Sequence, residues 1–295
     1  MEKKGIMKRR IKVGTRDSKL AMIQTYMVID SIKENHPEIE IEIVALKTTG
    51  DKILDRTLDK IGGKGLFVKE LDEALLNGEV DFTVHSFKDM PMEINEELPI
   101  VALSKREDYR DVYILPKGKS NEEAPIGSGS KRRVLQLKEL FPERTFAPIR
   151  GNVITRLEKL DRGEYSALVL AAAGIKRLGL EERINRFFQV EEILPSACQG
   201  IIAVQGRKGE NYDYLKEFHC EESHIVAAAE RGFVKELDGG CSAPIAAFAT
   251  IEGDEVMLKG MYYNEETGKI IKESIQGKTS QAKELGIELA RRIKR

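Results

Sequence analysis

Between residues 11 and 46 the chain writes strand, helix and strand in unbroken succession. Ile11-Lys-Val-Gly14 is a short strand, and Thr15-Arg16-Asp17-Ser18 turns it into a helix that runs to about Asn35. Leu20, Ile23, Met27, Val28 and Ile32 are its apolar positions, and Asp17 or Ser18 can cap its start. Residues 39–46 then alternate apolar and acidic side chains, the pattern of a half-buried strand. Such a βαβ unit implies a mostly parallel sheet.

The beginning of that unit has an echo. Val13-Gly-Thr-Arg16 and Ile126-Gly-Ser-Gly-Ser130 both read aliphatic, glycine, hydroxyl, helix start. Two lobes built this way would set two helix N-termini beside one cleft, where free N–H groups and the macrodipole favour anions. Between the echoes come a helix over 66–77 stopped by Gly78, a strand over 80–84, a strand over 100–103, and the charged run Lys105-Arg-Glu-Asp-Tyr-Arg-Asp111. That run reads as a linker and a domain border. Beyond it lie a helix with Val134, Leu137 and Leu140, a short strand over 146–149, a helix with Val153, Ile154, Leu157 and Leu160, and strands over 167–171 and 201–204. A helix over 224–237, strands over 245–250, 255–262 and 269–276, and a terminal helix over 279–295 describe a small α+β unit.

The 295 residues exceed what one core usually serves. Lys+Arg number 48 and Asp+Glu 49, so no global field favours nucleic acid or an anionic membrane, and any cationic site must be local. No apolar run approaches the ~20 residues of a membrane helix. The basic tail over 1–10 has no apolar stretch behind it, and three cysteines are an odd number, which together point to free thiols in a reducing cytoplasm.

Local cations are present. Arg16, Arg132, Arg133, Arg150 and Arg156 cluster at the starts of helices, where each opposes the dipole by ~0.3–1 kcal/mol. Arginine suits bidentate binding of carboxylate or phosphate. No G-x-x-x-x-G-K-[ST] run favours phosphate. A pocket holding these residues and Lys88 would repel itself unless a polyanion filled it. Lys88 and Asp89 follow the strand over 80–84, at the kind of sheet end where open α/β folds bind ligands. Cys241 sits in Gly239-Gly-Cys-Ser-Ala-Pro244, with room around its sulfur for something bulky. Cys198 and Cys220 have no such setting, and positions 198, 220 and 241 fit no zinc pattern, so no metal is expected. The glycine-rich stretch 49–65 reads as a lid carrying Lys60 and Lys64.

Four motifs together carry a resemblance: Gly62-Gly-Lys-Gly-Leu-Phe-Val-Lys-Glu70, Val84-His-Ser-Phe-Lys-Asp-Met-Pro91, Arg150-Gly-Asn152 and Leu237-Asp-Gly-Gly-Cys241. In this order the chain resembles the porphobilinogen deaminase family from about Ile11 onward. The resemblance implies an α/β fold of two periplasmic-binding-protein-like lobes with mainly parallel sheets plus a small α+β C-terminal domain. It implies domain 1 over 1–104 and 200–221, domain 2 over 105–199 and domain 3 over 222–295.

It further implies a dipyrromethane cofactor held on Cys241 by a thioether, with Asp89 as the catalytic carboxylate. Lys88, Ser130, Arg132, Arg133 and Arg150 fall on cofactor-binding positions. Arg16, Ser18, Arg156, Gln24 and Gln199 fall on substrate-binding positions, and Lys60, Lys64 and Phe67 on the loop. The substrate would be porphobilinogen and the chain a monomer. Gly129 stands where relatives often have a hydroxyl residue, and Lys131 where an apolar one is common. On the residues alone, two other functions stay open: a two-lobed protein that only captures a dicarboxylate, and a transferase using Cys241 as a transient nucleophile.

Overall fold

The computed structural model describes residues 10–48, 68–119, 121–238 and 244–295. The first lobe is a five-stranded sheet. It contains β1 (Arg10–Arg16), β2 (Glu40–Leu46), β3 (Phe82–Ser86) and β4 (Ile100–Leu103), with helices α1 (Lys19–Asn35) and α2 (Lys69–Leu76). The second contains β5 (Asp111–Ile114), β6 (Ile126–Gly127), β7 (Phe146–Ala147), β8 (Ala167–Ala171) and β9 (Arg186–Phe187). Its helices are α3 (Lys131–Leu140), α4 (Val153–Asp161) and α5 (Ala172–Arg177). The chain then returns to the first sheet as β10 (Ile202–Gly206).

The two sheets have one plan. Their orders are β2-β1-β3-β10-β4 and β7-β6-β8-β5-β9. In each, the first three strands are parallel and the fourth is antiparallel to its neighbours. The short echo is therefore a structural repeat. Gly14 pairs with Thr83, and Gly127 with Leu168, at the same place in each lobe. A Cβ on either glycine would lie 2.9 Å from Thr83 or 2.6 Å from Leu168, so both positions need the missing side chain.

The packing follows from the patterns. Val28, Ile29 and Ile32 of α1 close over Ile11, Val13, Phe82 and Val84. Leu157 and Leu160 of α4 cover Val112, Ile114, Leu168 and Leu170. The third unit is α6 (Glu221–Glu236), the antiparallel meander β11 (Ile245–Glu252), β12 (Glu255–Asn264) and β13 (Lys269–Lys278), and α7 (Ala282–Lys294). Its core of Phe233, Leu258, Leu285 and Leu289 is continuous with Phe87, Met90, Leu103 and Ile201 of the first lobe.

Two chain crossings join the lobes, and they touch. Ser104 N–H donates to the Ile202 carbonyl at 2.9 Å, and Glu107 N–H to the Gly200 carbonyl at 3.1 Å. Gly200 has φ +93°, and a Cβ there would meet the Glu107 carbonyl oxygen at 2.4 Å. Glu230 of α6 ties both crossings to the third unit. Its fully buried carboxylate accepts from Arg106 Nη2 at 2.6 and 2.8 Å, from Cys198 N–H at 2.6 Å and from Ala249 N–H at 2.7 Å.

Sequence patterns missed the strands β5 and β9 and the helix α5. The charged run ends one residue sooner than its composition suggests: Asp111 is not linker but the buried first residue of β5.

Candidate active site

β3 ends in a single 3-10 turn, Phe87–Asp89. The turn is shaped by what it buries. Phe87 and Met90 sink into the core shared with the third unit, which leaves Lys88 and Asp89 to face the other way. Phe87 N–H donates to the Ile201 carbonyl at 3.0 Å, and Met90 N–H back to Phe87 at 3.2 Å. From α6, the Arg231 guanidinium lies 4.6 Å from the Phe87 ring centroid and donates to the Pro91 and Met92 carbonyls. The first lobe and the third unit thus both anchor this turn.

Lys88 and Asp89 open onto a cavity of about 490 Å³. Facing them from the second lobe are Ser128, Ser130, Lys131, Arg132, Arg133, Arg150 and Arg156. Ser130 caps α3 by accepting from Arg133 N–H, which brings Arg132 and Arg133 into the first turn. Asn152 caps α4 in the same manner, with Arg150 just before it and Arg156 just inside. The crossing contributes Ser196 and Gln199, and the third unit Val234, Pro244, Ile245 and Tyr263. Three structural units thus share one cavity.

The arginines are not a bare cluster of like charges. Asp111, fully buried, accepts from Arg132 Nη2 at 2.8 Å and from Arg133 Nη2 at 2.7 Å. Burial works against its ionisation, but the two guanidiniums hold its carboxyl well below the usual carboxylate range. Arg133 Nε is a buried donor with no acceptor among the described residues. Arg156 donates Nε to the Gly151 carbonyl at 2.7 Å. Burial, then Arg133 and Arg150, lower its pKa to about 10, while Asp89 opposes them. Lys88 is lowered to about 8, by burial first, with Asp89 pulling upward and Arg133 downward. A cavity that disfavours its own cations in this way is built to receive negative charge.

Of the residues expected at the site, Lys88, Asp89, Ser130, Arg132, Arg133, Arg150, Arg156 and Gln199 line the cavity. Arg16, Ser18 and Gln24 do not. Ser18 is the N-cap of α1, and Gln24 is buried with Nε2 donating to Ser86 Oγ at 2.8 Å. Arg16 ends β1 near His85, whose pKa is lowered to about 4 by burial and then by Arg16. Lys60, Lys64, Phe67 and Cys241 lie outside the described residues. Cys198 is buried and Cys220 half-buried, both free. Asp111, Ser128 and Tyr263 were missed. For Asp111 a signal existed: Val112-Tyr-Ile-Leu115 follows it as an apolar run of strand length.

Gly129 is packed tightly. A Cβ there would lie 2.9 Å from the Ile149 carbonyl oxygen and 3.8 Å from Arg156 Nη1. The glycine therefore leaves the wall of the cavity open beside Arg156.

Fold and cavity define a class: a two-lobed α/β protein with a cation-lined cavity between its lobes and a third unit in the cavity wall. Comparison with known proteins narrows it. Residues 11–213 match the family model for the porphobilinogen deaminase dipyromethane cofactor binding domain, and residues 225–295 match that for the porphobilinogen deaminase C-terminal domain. A porphobilinogen deaminase of Ruminiclostridium josui is 64% identical over 286 residues, 97% of this chain and 98% of that one. One from Acetivibrio thermocellus is 60% identical over 283 residues, 95% of this chain and 97% of the other. Among solved structures, the ligand-binding component of an ABC-type import system from Staphylococcus aureus is similar at 17% identity and a TM-score of 0.38, over 78% of this chain and 75% of that one.

The chain belongs to the porphobilinogen deaminase family. It is an enzyme, a transferase of tetrapyrrole biosynthesis with hydroxymethylbilane synthase activity, and its cofactor is dipyrromethane. The α/β fold expected from the sequence, two lobes of matching plan and a small α+β unit, is the one observed.

Proposed function

We propose that the cavity between the lobes is where the chain deaminates porphobilinogen and joins four units head to tail, with Asp89 as the catalytic carboxylate. The observation that carries this is the cavity itself. Asp89 from the first lobe, the arginines of the second, and Pro244 and Ile245, which follow Cys241 closely in the chain, all line it. Cys241 holds the cofactor by a thioether. When bound, the dipyrromethane supplies the pyrrole carbon to which the first unit is joined. The orphaned Arg133 Nε and the cations around it fit its acid side chains.

Lys88, Ser130, Arg132, Arg133 and Arg150 bind cofactor carboxylates. Arg156 and Gln199 bind those of the incoming substrate. Arg16, Ser18 and Gln24, which lie outside the cavity lining, are assigned to that set by the resemblance alone, as Lys60, Lys64 and Phe67 are to the family's loop. Loss of ammonia from porphobilinogen leaves an electron-poor azafulvene cation. Asp89 accepts pyrrole N–H bonds and stabilises that cation by its charge. It also carries a proton to the leaving amine and removes one from the pyrrole carbon that has formed the new carbon–carbon bond. The guanidiniums neutralise the carboxylate arms and fix the ring for attack. A final hydrolysis releases the linear tetrapyrrole.

Domain 1 over 1–104 and 200–221, domain 2 over 105–199 and domain 3 over 222–295 are the units of this division of labour; sheet membership supports it. The chain is proposed to act as a monomer. No described helix is long and apolar enough to cross a membrane. A reducing cytoplasm suits the free Cys198 and Cys220.

Intact-protein mass spectrometry tests the assignment. The purified chain should exceed its sequence mass by one dipyrromethane, and Cys241→Ser should have none. An unmodified parent mass, or an adduct that survives in Cys241→Ser, would refute it.

A further inference from the structure

Asp111 was assigned no role by any motif, yet it lies fully buried behind Arg132, Arg133 and Gln199 of the cavity wall and accepts a hydrogen bond from each. Its Oδ2 accepts from Arg132 Nη2 at 2.8 Å. Its Oδ1 accepts from Arg133 Nη2 at 2.7 Å and from Gln199 Nε2 at 2.9 Å. Each arginine has a second tether: Arg132 Nη1 donates to the Leu194 carbonyl at 2.6 Å, and Arg133 Nη1 to the Val169 carbonyl at 3.1 Å. Both guanidiniums are therefore fixed from behind. One buried negative charge between two buried positive ones leaves the trio with a surplus of one cation, which faces the ligand.

The network continues across the cleft. Gln199 Nε2 also donates to the Tyr109 carbonyl at 2.7 Å, which orients the amide and turns its Oε1 toward Lys88 Nζ at 3.4 Å. The backbone imposes this aim, because Gln199 stands between Cys198 at φ +60° and Gly200 at φ +93°. An unbroken line runs from the arginine pair of the second lobe through Asp111 and Gln199 to the turn beside Asp89.

We propose that Asp111 is a positioning residue for the reaction. It sets the Arg132–Arg133 pair and, through the Gln199 amide, the Lys88 ammonium, so that both lobes present one rigid set of cations to the ligand. This rests on the assignment of the cavity as the cofactor and substrate site. Residues that orient ligand-binding groups from behind matter because small misplacements are costly to rate. A purely structural ion pair would not extend to the catalytic turn.

Asp111→Asn in the full-length chain is the test, with Gln199→Leu beside it. Each is followed by intact mass, thermal melting and steady-state kinetics across pH. Loss of one charged hydrogen-bonding partner should raise KM by about tenfold or more in Asp111→Asn. The groups acting on Lys88 are Asp89, Arg133, Asp111 and Arg132, and Asp111 is one of the two that favour its charged form. The alkaline limb of kcat/KM should therefore move to lower pH in Asp111→Asn. Gln199→Leu should move the limb in the same direction with a smaller KM change, since the arginine pair stays anchored.

A variant that only melts lower, with the parent's adduct, KM and alkaline limb, overturns the proposal. Should Asp111→Asn fail to fold, Gln199→Leu decides alone, and an unmoved limb overturns it. A parent chain with no adduct is a different failure: the cavity assignment is then wrong, and the proposal falls with it.

Discussion

Lys88 and Asp89 are adjacent, but their surroundings differ in what they ask of each. Lys88 feels the carboxylates of Asp89 and Asp111 and the guanidiniums of the opposite lobe, and its pKa is lowered from about 10.5 to about 8, mainly by burial. Its folded-state value is below its unfolded one, so the folded chain releases this proton first. Below about pH 8 the buried charge costs stability, and that cost is relieved as pH rises toward the unfolded value. For activity the direction is opposite: a neutral amine cannot hold a carboxylate arm. The rate at low substrate should fall with an apparent pKa of about 8, and Lys88→Arg should abolish that limb, as a pH–rate profile would show. Asp89→Asn preserves shape and removes charge. It should cut kcat by about 10²-fold or more with an unchanged melting temperature; near-normal turnover would reject the electrostatic role. Lys88, Asp89 and the arginines were legible in the sequence because charged residues beside strand ends and helix starts stand out locally. Asp111 was not, because its partners Arg132, Arg133 and Gln199 are distant in the chain and only the fold brings them to it.

At the scale of elements, the crossings are the most constrained part. Gly200→Ala would force a side chain onto φ +93° and within 2.4 Å of the Glu107 carbonyl oxygen. A loss of more than ~1 kcal/mol is expected, read as a lower melting temperature. KM should rise as well, because the same turn aims Gln199. The elements themselves were readable wherever periodicity ran long enough: α1, α4, the meander and α7 fall close to where their patterns put them. β5 and β9 were not, for two reasons. β9 is two residues long, and β5 follows a run of charges that resembles solvent-exposed linker. Nothing local says that the run's last aspartate is neutralised from another helix.

For the molecule as a whole, charge is balanced overall and unbalanced locally. Lys+Arg 48 against Asp+Glu 49 gives a net charge of −1, while the cavity wall holds Lys88, Lys131, Arg132, Arg133, Arg150 and Arg156. Attraction of a dicarboxylate substrate is therefore short-ranged and comes from the cleft alone. Screening shortens from ~10 Å at 0.1 M salt to ~3 Å at 1 M. KM for porphobilinogen should rise several-fold over that range while kcat changes little; a flat KM would count against capture by these cations.

The order of strands also fixes an order of events during synthesis. β10 lies between β3 and β4, yet it is made after every strand of the second sheet. On the ribosome, the middle of the chain can finish its sheet while the beginning still waits with two edges open. The half of the enzyme that is translated first is thus completed later, and a nascent chain stalled before residue 202 leaves open the edge of β3 that β10 covers, on the strand that leads into the turn of Lys88 and Asp89.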